Sequence, residues 1–387
     1  MTDLDRLLEF AARSRLTGGG FGYLGSDGRV VAGRGQETWI VARMTHVFGL
    51  AAMLGRPGAD DLARHGVAAL ASGALHDAEH GGWRSSTDDD TKAAYAHAFV
   101  LLAGSTAASA GVAGGAALLD EALAVWQDRF WDDDAGMAVE QWDRAWTRLD
   151  DYRGLNANMH GVEAVLAAAD ALPVADQAGK HRLRSRALRT TERVLTDWGW
   201  RFGWLLPEHF TSGWEPLPDY NRNRPADPFR PYGVTVGHLF EWARLALHVR
   251  SVTPDAPSWL RDGAEHLFAV ASGLDDGGIG IPYTFGWDGD VVVPARMHWV
   301  MCEAIAAGHV LAEATGDAGY RAAADGWRAT GERLFADPAT GSWHHELTAT
   351  GEIATGTWAG QPDAYHLAQM LLLDGRPIRG SVAAMLR

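Results

Sequence analysis

Apolar residues recur every three to four positions along most of the chain, the spacing that lines one face of an α-helix. The pattern predicts helices over Trp39 to Leu54, Asp120 to Asp128, Ala157 to Leu172, Arg182 to Trp198, Val236 to Val249, His298 to Ala314 and Ala359 to Leu373. Between them lie glycine- and aromatic-rich pieces that resemble one another: GGGFGYLGSDG from 18, EHGGWRSS from 79, FWDDDAGMAVE from 130, WRFGWLLPE from 200, LDDGGIGIPYTF from 274 and FADPATGSWHHEL from 335. Each reads as a tight turn or small hairpin.

One glycine from each piece (Gly20, Gly82, Gly136, Gly203, Gly278, Gly341) marks six units with a mean interval of 64.2 residues. A unit of that size holds two ordinary helices and a hairpin, and it cannot bury its apolar face alone. Six such units predict an all-α fold, an (α/α)6 barrel of six helical hairpins in a closed toroid, with short β-hairpins at the loops. An open α-solenoid is the alternative. Closure is favoured because the polar and aromatic residues recur beside the turns, where a barrel gathers them at one mouth. The 387 residues are then one domain, 1–387, although length alone suggests two or three.

Composition narrows the partners. With 47% hydrophobic and 21% charged residues the chain can bury a large core. A net charge of -15 disfavours nucleic acid and anionic membrane surfaces. The single Cys302 leaves no internal disulfide and no cysteine-based zinc site, and it fits a reducing compartment. The opening MTDLDRLLEFAARSR carries no signal-like apolar run, so a cytoplasmic location is expected. The uncharged stretch Phe99 to Leu119 is long enough to span a bilayer, but its glycine-rich centre reads as a turn between two helices. Seventeen Trp and 16 His point instead to a wet aromatic site.

Helical spacing gathers the candidate side chains. Trp39 aligns with Arg43, Asn156 with His160 and then Glu163, His238 with Glu241, Trp299 with Glu303, and Trp358 with Pro362 and His366, Pro362 suiting a helix start. His46, His97, His248, His266 and His309 read as structural. The two His-x-x-Glu pairs give a weak metal signal, with no HExxH and few carboxylates, so no metal or other cofactor is expected. A glycosidase could draw on loop acids such as Asp88, Asp151 and Asp219, but the histidines would go unexplained. Histidines with an arginine instead suit proton transfer beside a sugar carbonyl: a base, an acid and a cation facing the enediolate.

RMTH at 43–46, YRGLNANMH at 152–160, DPFRPYGVTVGHLFEW at 227–242, the Trp299–Glu303 segment and WAGQPDAYH at 358–366 together resemble the N-acylglucosamine 2-epimerase superfamily. The resemblance implies an (α/α)6 barrel and a metal-independent sugar isomerase. Within the superfamily it is nearest to the branch that interconverts mannose and fructose, with lyxose and xylulose as further substrates, and to the related sulfoquinovose isomerases; 2-epimerisation is an alternative, and a glycoside hydrolase on the same barrel a more distant one. It also implies that His238 and His366 are the acid/base pair with Glu241 supporting His238, and that Arg43, Asn156, His160, Arg230 and Glu303 bind sugar hydroxyls. Trp39, Trp299 and Trp358 wall the pocket. The implied partner is a monosaccharide; a homo-oligomer is left open.

Overall fold

Two kinds of helix build the chain, and hydrophobic content separates them. In the computed structural model, which describes residues 2–387, one kind is apolar on all sides and buried along nearly its full length, and the other buries a single face. The chain divides into two compact units. The first holds the described residues up to Thr190 together with 362–365 and Gly380–Arg387, and the second holds Thr191–Gln361 and His366–Arg379.

In the first unit, α1 (Asp3–Ala11) precedes α2 (Thr38–Met53), α3 (Ala59–Ser72), α4 (Ala94–Ser109), α5 (Gly115–Val125), α6 (Leu155–Ala171) and α7 (Gln177–Glu192). The buried helices α2, α4 and α6 neighbour one another, with α3 packed on α2 and α5 packed on α4. Two glycines let α4 and α5 approach backbone to backbone: a Cβ on Gly104 would lie 2.8 Å from the Leu119 nitrogen, and one on Gly115 2.6 Å from the Ala107 carbonyl carbon. Short strands steer the chain into the buried helices. β1 (Lys92–Ala93) runs into α4 and pairs with β4 (Gln141–Trp142); β2 (Trp131–Asp132) and β3 (Met137–Ala138) form a hairpin; β5 (Arg153–Gly154) runs into α6. Buried Asn158 ties that hairpin to α6. Its Oδ1 accepts from the Ala138 N–H at 2.7 Å, and its Nδ2 donates to the carbonyls of Ala138 at 3.0 Å and Gly154 at 2.9 Å.

The second unit contains β6 (His209–Phe210), β7 (Val234–Thr235), α8 (Val236–Val252), α9 (Trp259–Gly273), β8 (Pro282–Phe285), β9 (Val291–Met297), α10 (His298–Thr315), α11 (Ala318–Leu334) and β10 (Glu346–Leu347). Buried α8 packs on α10, backed by α9 and α11 respectively. An antiparallel sheet in the order β10-β9-β8-β7 joins them. Thr235 pairs with Thr284 and Met297 with Glu346, so the strands end where α8 and α10 begin. That junction puts His238, His298 and Trp299 in first helical turns. α12 starts at Tyr365 and runs to Leu373, and α13 (Val382–Met385) returns to the first unit.

Several predicted boundaries change. The helix expected from Asp120 starts at Gly115, after Gly114 in the left-handed region, and continues as a wide π-type turn over Trp126–Phe130. The helix expected from Ala359 starts at Tyr365, whose N–H is capped by Asp363 Oδ1 at 2.8 Å, behind Gly360 at φ +89°. Pro362 is therefore not a helix start, and Trp358 shares no helix face with His366. The expected turn within Phe99 to Leu119 is present, with Gly111 and Gly114 at positive φ. No helix among the described residues is long and apolar enough to cross a membrane.

His97 shows why several histidines are structural. Its Nε2 accepts the Trp83 backbone N–H at 3.1 Å and its Nδ1 donates to the Ala93 carbonyl at 2.8 Å, which requires the neutral ring. Burial lowers its pKa to about 3, and burial likewise lowers that of His46 to about 4. Both are neutral in the fold and protonate more readily when unfolded, so the stability they confer is full above pH ~6.5 and falls as the pH drops through the interval below. Denaturant unfolding across that interval should show a slope of about 1.4 kcal/mol per pH unit for each such histidine, and His97→Gln should flatten it.

Candidate active site

Within the second unit, two histidines are held in the same way. His238 Nδ1 lies 2.9 Å from Glu208 Oε1, and His366 Nδ1 lies 2.9 Å from Glu303 Oε1, all four side chains being buried. A carboxylate at Nδ1 makes that nitrogen the donor, so proton transfer at either ring falls to Nε2. Trp299 flanks both rings, with centroids 5.2 Å from His238 and 5.6 Å from His366. Gly237 makes room for it, since a Cβ there would meet the indole at 2.2 Å.

Behind His366 runs a buried ionic chain. Arg244, 1% exposed, donates through Nε to Glu303 Oε2 at 3.0 Å and through Nη2 to Glu241 Oε1 at 3.3 Å. This corrects two sequence expectations. Glu241 pairs with Arg244, three residues along the same helix, and the carboxylate on His238 is Glu208. Both oxygens of Glu303 are engaged inside the protein, so its visible work is to orient His366.

The first unit holds the other candidates. Arg43 donates from Nη2 to the Tyr95 hydroxyl at 2.8 Å and from Nη1 to Asp363 Oδ2 at 3.2 Å, and its guanidinium lies over Phe99 at 4.3 Å, Tyr365 at 4.6 Å and Trp39 at 5.1 Å. Burial opposes its charge, yet Tyr95, Asp363 and Tyr365 outweigh burial and raise its pKa. His160 packs its ring 4.5 Å from Phe99 and 5.3 Å from Tyr95, with Nδ1 3.8 Å from Glu163. Glu163 in turn accepts from the Tyr365 hydroxyl. Asn156, half-buried one turn before His160, keeps its Oδ1 without a hydrogen bond.

Two expected residues sit on loops of the second unit. Arg230 reaches the Tyr220 hydroxyl at 3.4 Å. Trp358 donates its backbone N–H to Glu346 Oε2 at 2.7 Å and meets Phe229 edge to face at 5.4 Å. Sequence reading missed Glu208, Arg244, Tyr95 and Asp363, as well as the stacked pair His298 and His345, whose centroids are 3.7 Å apart. A signal existed for Arg244, which stands at i+3 from Glu241. Glu208 closes one of the glycine-marked turns, with nothing in that segment to connect it to His238.

Glu241, Glu303 and His366 bring one ligand atom each within 4.8 Å, a spacing a metal ion could use. The donors suit one poorly: Arg244 already binds one oxygen of each carboxylate, so a divalent cation between them would lie against a buried guanidinium of like charge.

The family model described as N-acylglucosamine 2-epimerase (GlcNAc 2-epimerase) matches residues 19–370. The chain belongs to the N-acylglucosamine 2-epimerase family. A protein named D-mannose isomerase from Thermobifida fusca is 46% identical, covering 98% of this chain and 94% of its own length. Another of that name, from Pseudomonas cannabina pv. alisalensis, is 45% identical over 98% of this chain and 92% of its own. The crystal structure of a D-mannose isomerase matches with a TM-score of 0.86 at 25% identity, covering 96% of this chain and 95% of that one. The chain thus has the family's (α/α)6 barrel fold, and it is an enzyme, a sugar isomerase.

Arg244 gives the site a direct stability test. Arg244→Met should leave two buried carboxylates without their cation and destabilise the protein by about 3–5 kcal/mol in chemical unfolding.

Proposed function

We propose that the enzyme interconverts D-mannose and D-fructose, with D-lyxose and D-xylulose as secondary substrates, without a metal and in the cytoplasm. One observation carries this reading: two histidines, each fixed at Nδ1 by a buried carboxylate at 2.9 Å, pack against one indole. The relatives named D-mannose isomerase support the choice of sugar.

Isomerisation needs an open chain and a proton moved from C2 to C1. His238 gives a proton to the ring oxygen and takes one back from the anomeric hydroxyl, which breaks the C1–O5 bond and frees the aldehyde. His366 Nε2 then removes the C2 proton, giving a cis-enediolate, and returns it to C1 while the C2 hydroxyl proton moves to O1, leaving a ketone at C2 and a hydroxyl at C1. No electrons leave the sugar. Glu303 supports the imidazolium that forms on His366, and Arg244 holds the Glu303 carboxylate in place. Arg43, Asn156, His160 and Arg230 bind hydroxyls, and Trp39, Trp299 and Trp358 supply apolar walls. Arg43 is cationic and already surrounded by aromatic faces, which suits a developing oxyanion.

Chelator-treated protein incubated with mannose should yield fructose, read by sugar chromatography. Glucose as the main product would assign a 2-epimerase instead, and conversion of sulfoquinovose but not mannose would assign the sulfosugar activity. His238→Ala and His366→Ala should each lower kcat by about a hundredfold or more. Near-normal turnover in both variants would overturn the mechanism, and cleavage of oligosaccharides that survives His366→Ala would replace it with glycoside hydrolysis.

A further inference from the structure

The second unit carries a groove of about 330 Å³ on its solvent side, where the turn after Gly199 meets α9. Trp200, Trp204 and Trp259 line it together with Asp262 and His266, and Leu195 lies at its base. Trp200 is 73% exposed, an unusual position for the largest apolar side chain. Trp204 holds a left-handed backbone at φ +70°, which side chains other than glycine rarely adopt. One of its faces stacks on His266 at 4.9 Å, and its edge is set against Trp200 at 86°. Gly199 admits that ring, because a Cβ there would approach it to 2.8 Å.

The groove indoles keep their N–H donors uncommitted; Trp126 and Trp214 also lack a partner, but they are buried, whereas Trp200 is exposed. Seven other tryptophans (Trp39, Trp83, Trp131, Trp142, Trp146, Trp287 and Trp327) donate Nε1–H to a group of the protein itself. None of the three groove indoles does so, and neither the Asp262 carboxylate nor the His266 ring has a hydrogen-bond partner among the described residues. The groove thus offers flat apolar faces rimmed by three donors, a carboxylate and an imidazole, all uncommitted. An aliphatic peptide segment would bury these groups unpaired, which is unfavourable. No Arg or Lys lines the groove to attract an anion, and a single carboxylate is too little for a hard cation. A cage for a quaternary ammonium would turn ring faces inward, whereas one face of Trp204 is taken by His266. What remains is a neutral ligand with an apolar face and hydroxyl edges.

We propose that this groove is a second carbohydrate site, binding a neutral pyranose or short oligosaccharide without reaction. It lies on α9 and the turn at 200–204, whereas the paired histidines are carried by α8 and α12. Protein labelled with 5-fluorotryptophan, its fluorine resonances assigned with Trp200→Phe, Trp204→Phe and Trp259→Phe, would be titrated with methyl α-D-mannopyranoside and with maltose. Both probes are used at concentrations around a Kd of about 1 mM, the range of a site with few contacts. The three groove resonances should shift saturably with at least one probe. Trp200→Ala and Asp262→Asn should each weaken that binding by about tenfold, while the turnover of the native sugar substrate stays unchanged. Groove resonances that stay still with both probes would overturn the proposal. So would shifts that follow protein concentration without sugar, or a stronger response to tetramethylammonium. None of these readouts depends on which sugar the enzyme converts.

Discussion

Arg244 is the charge around which the second unit is arranged. A guanidinium taken fully out of water is unfavourable unless its donors meet acceptors of opposite charge, and here Glu241 and Glu303 provide them from α8 and α10. Because Arg244 engages one oxygen of Glu303, the other is presented at a fixed angle to His366 Nδ1. The ion pair thereby fixes the register of two packed helices and the orientation of a ring on a third. Its value is specification: replacing the whole network by apolar residues could pack as well, but it would leave His366 without a partner to set its tautomer.

The first unit solves a similar problem with other chemistry. Arg43 is as buried as the groups around Arg244, but it meets a single carboxylate, Asp363, and otherwise the hydroxyl of Tyr95 and the faces of Phe99, Tyr365 and Trp39. Ring faces stabilise a cation without occupying its hydrogen-bond donors. Nε of Arg43 is accordingly without a hydrogen bond. An arginine held by aromatic faces retains bonding capacity for a ligand, whereas one held between two carboxylates has spent it on structure. On the function proposed above, the two arginines divide binding from scaffolding, although both are buried.

How much of this was legible in the sequence depends on whether a partner lies within one helix turn. Trp39 with Arg43 was readable at i+4, and the structure keeps the pair at 5.1 Å. Of the helices that are apolar all round, α2, α6, α8 and α10 were found within a few residues of their true ends, whereas α4 was read only as part of the uncharged stretch Phe99 to Leu119. The outer α3, α9 and α11 were passed over although their apolar residues keep to one face, because that face is narrow and much of each helix is alanine and charged residues. The start of α12 was misplaced because the four-residue spacing of Trp358, Pro362 and His366 imitates a helix, while Gly360 and the Asp363 cap act against it. Glu208 was out of reach for a different reason: it lies 30 residues from His238, and only the chain's path through β6 and β7 brings them together. The same holds for the sheet β10-β9-β8-β7, whose strands read singly as hairpins.

Those strands explain why the chemistry gathers where it does. β7 delivers the chain into α8 and β9 into α10, so the first turn of each helix is anchored by ladder hydrogen bonds on one side and helix bonds on the other. A side chain placed there has little backbone freedom, and its ring need only be turned to the right angle. For His238 a carboxylate at Nδ1 does that, as another does for His366 at the start of α12, and Trp299, rising from the first turn of α10, packs beside both rings. A large flat side chain with few rotatable bonds restrains a neighbouring imidazole at small cost in side-chain entropy, as Trp83 does beside His97 and Trp299 beside His238 and His366.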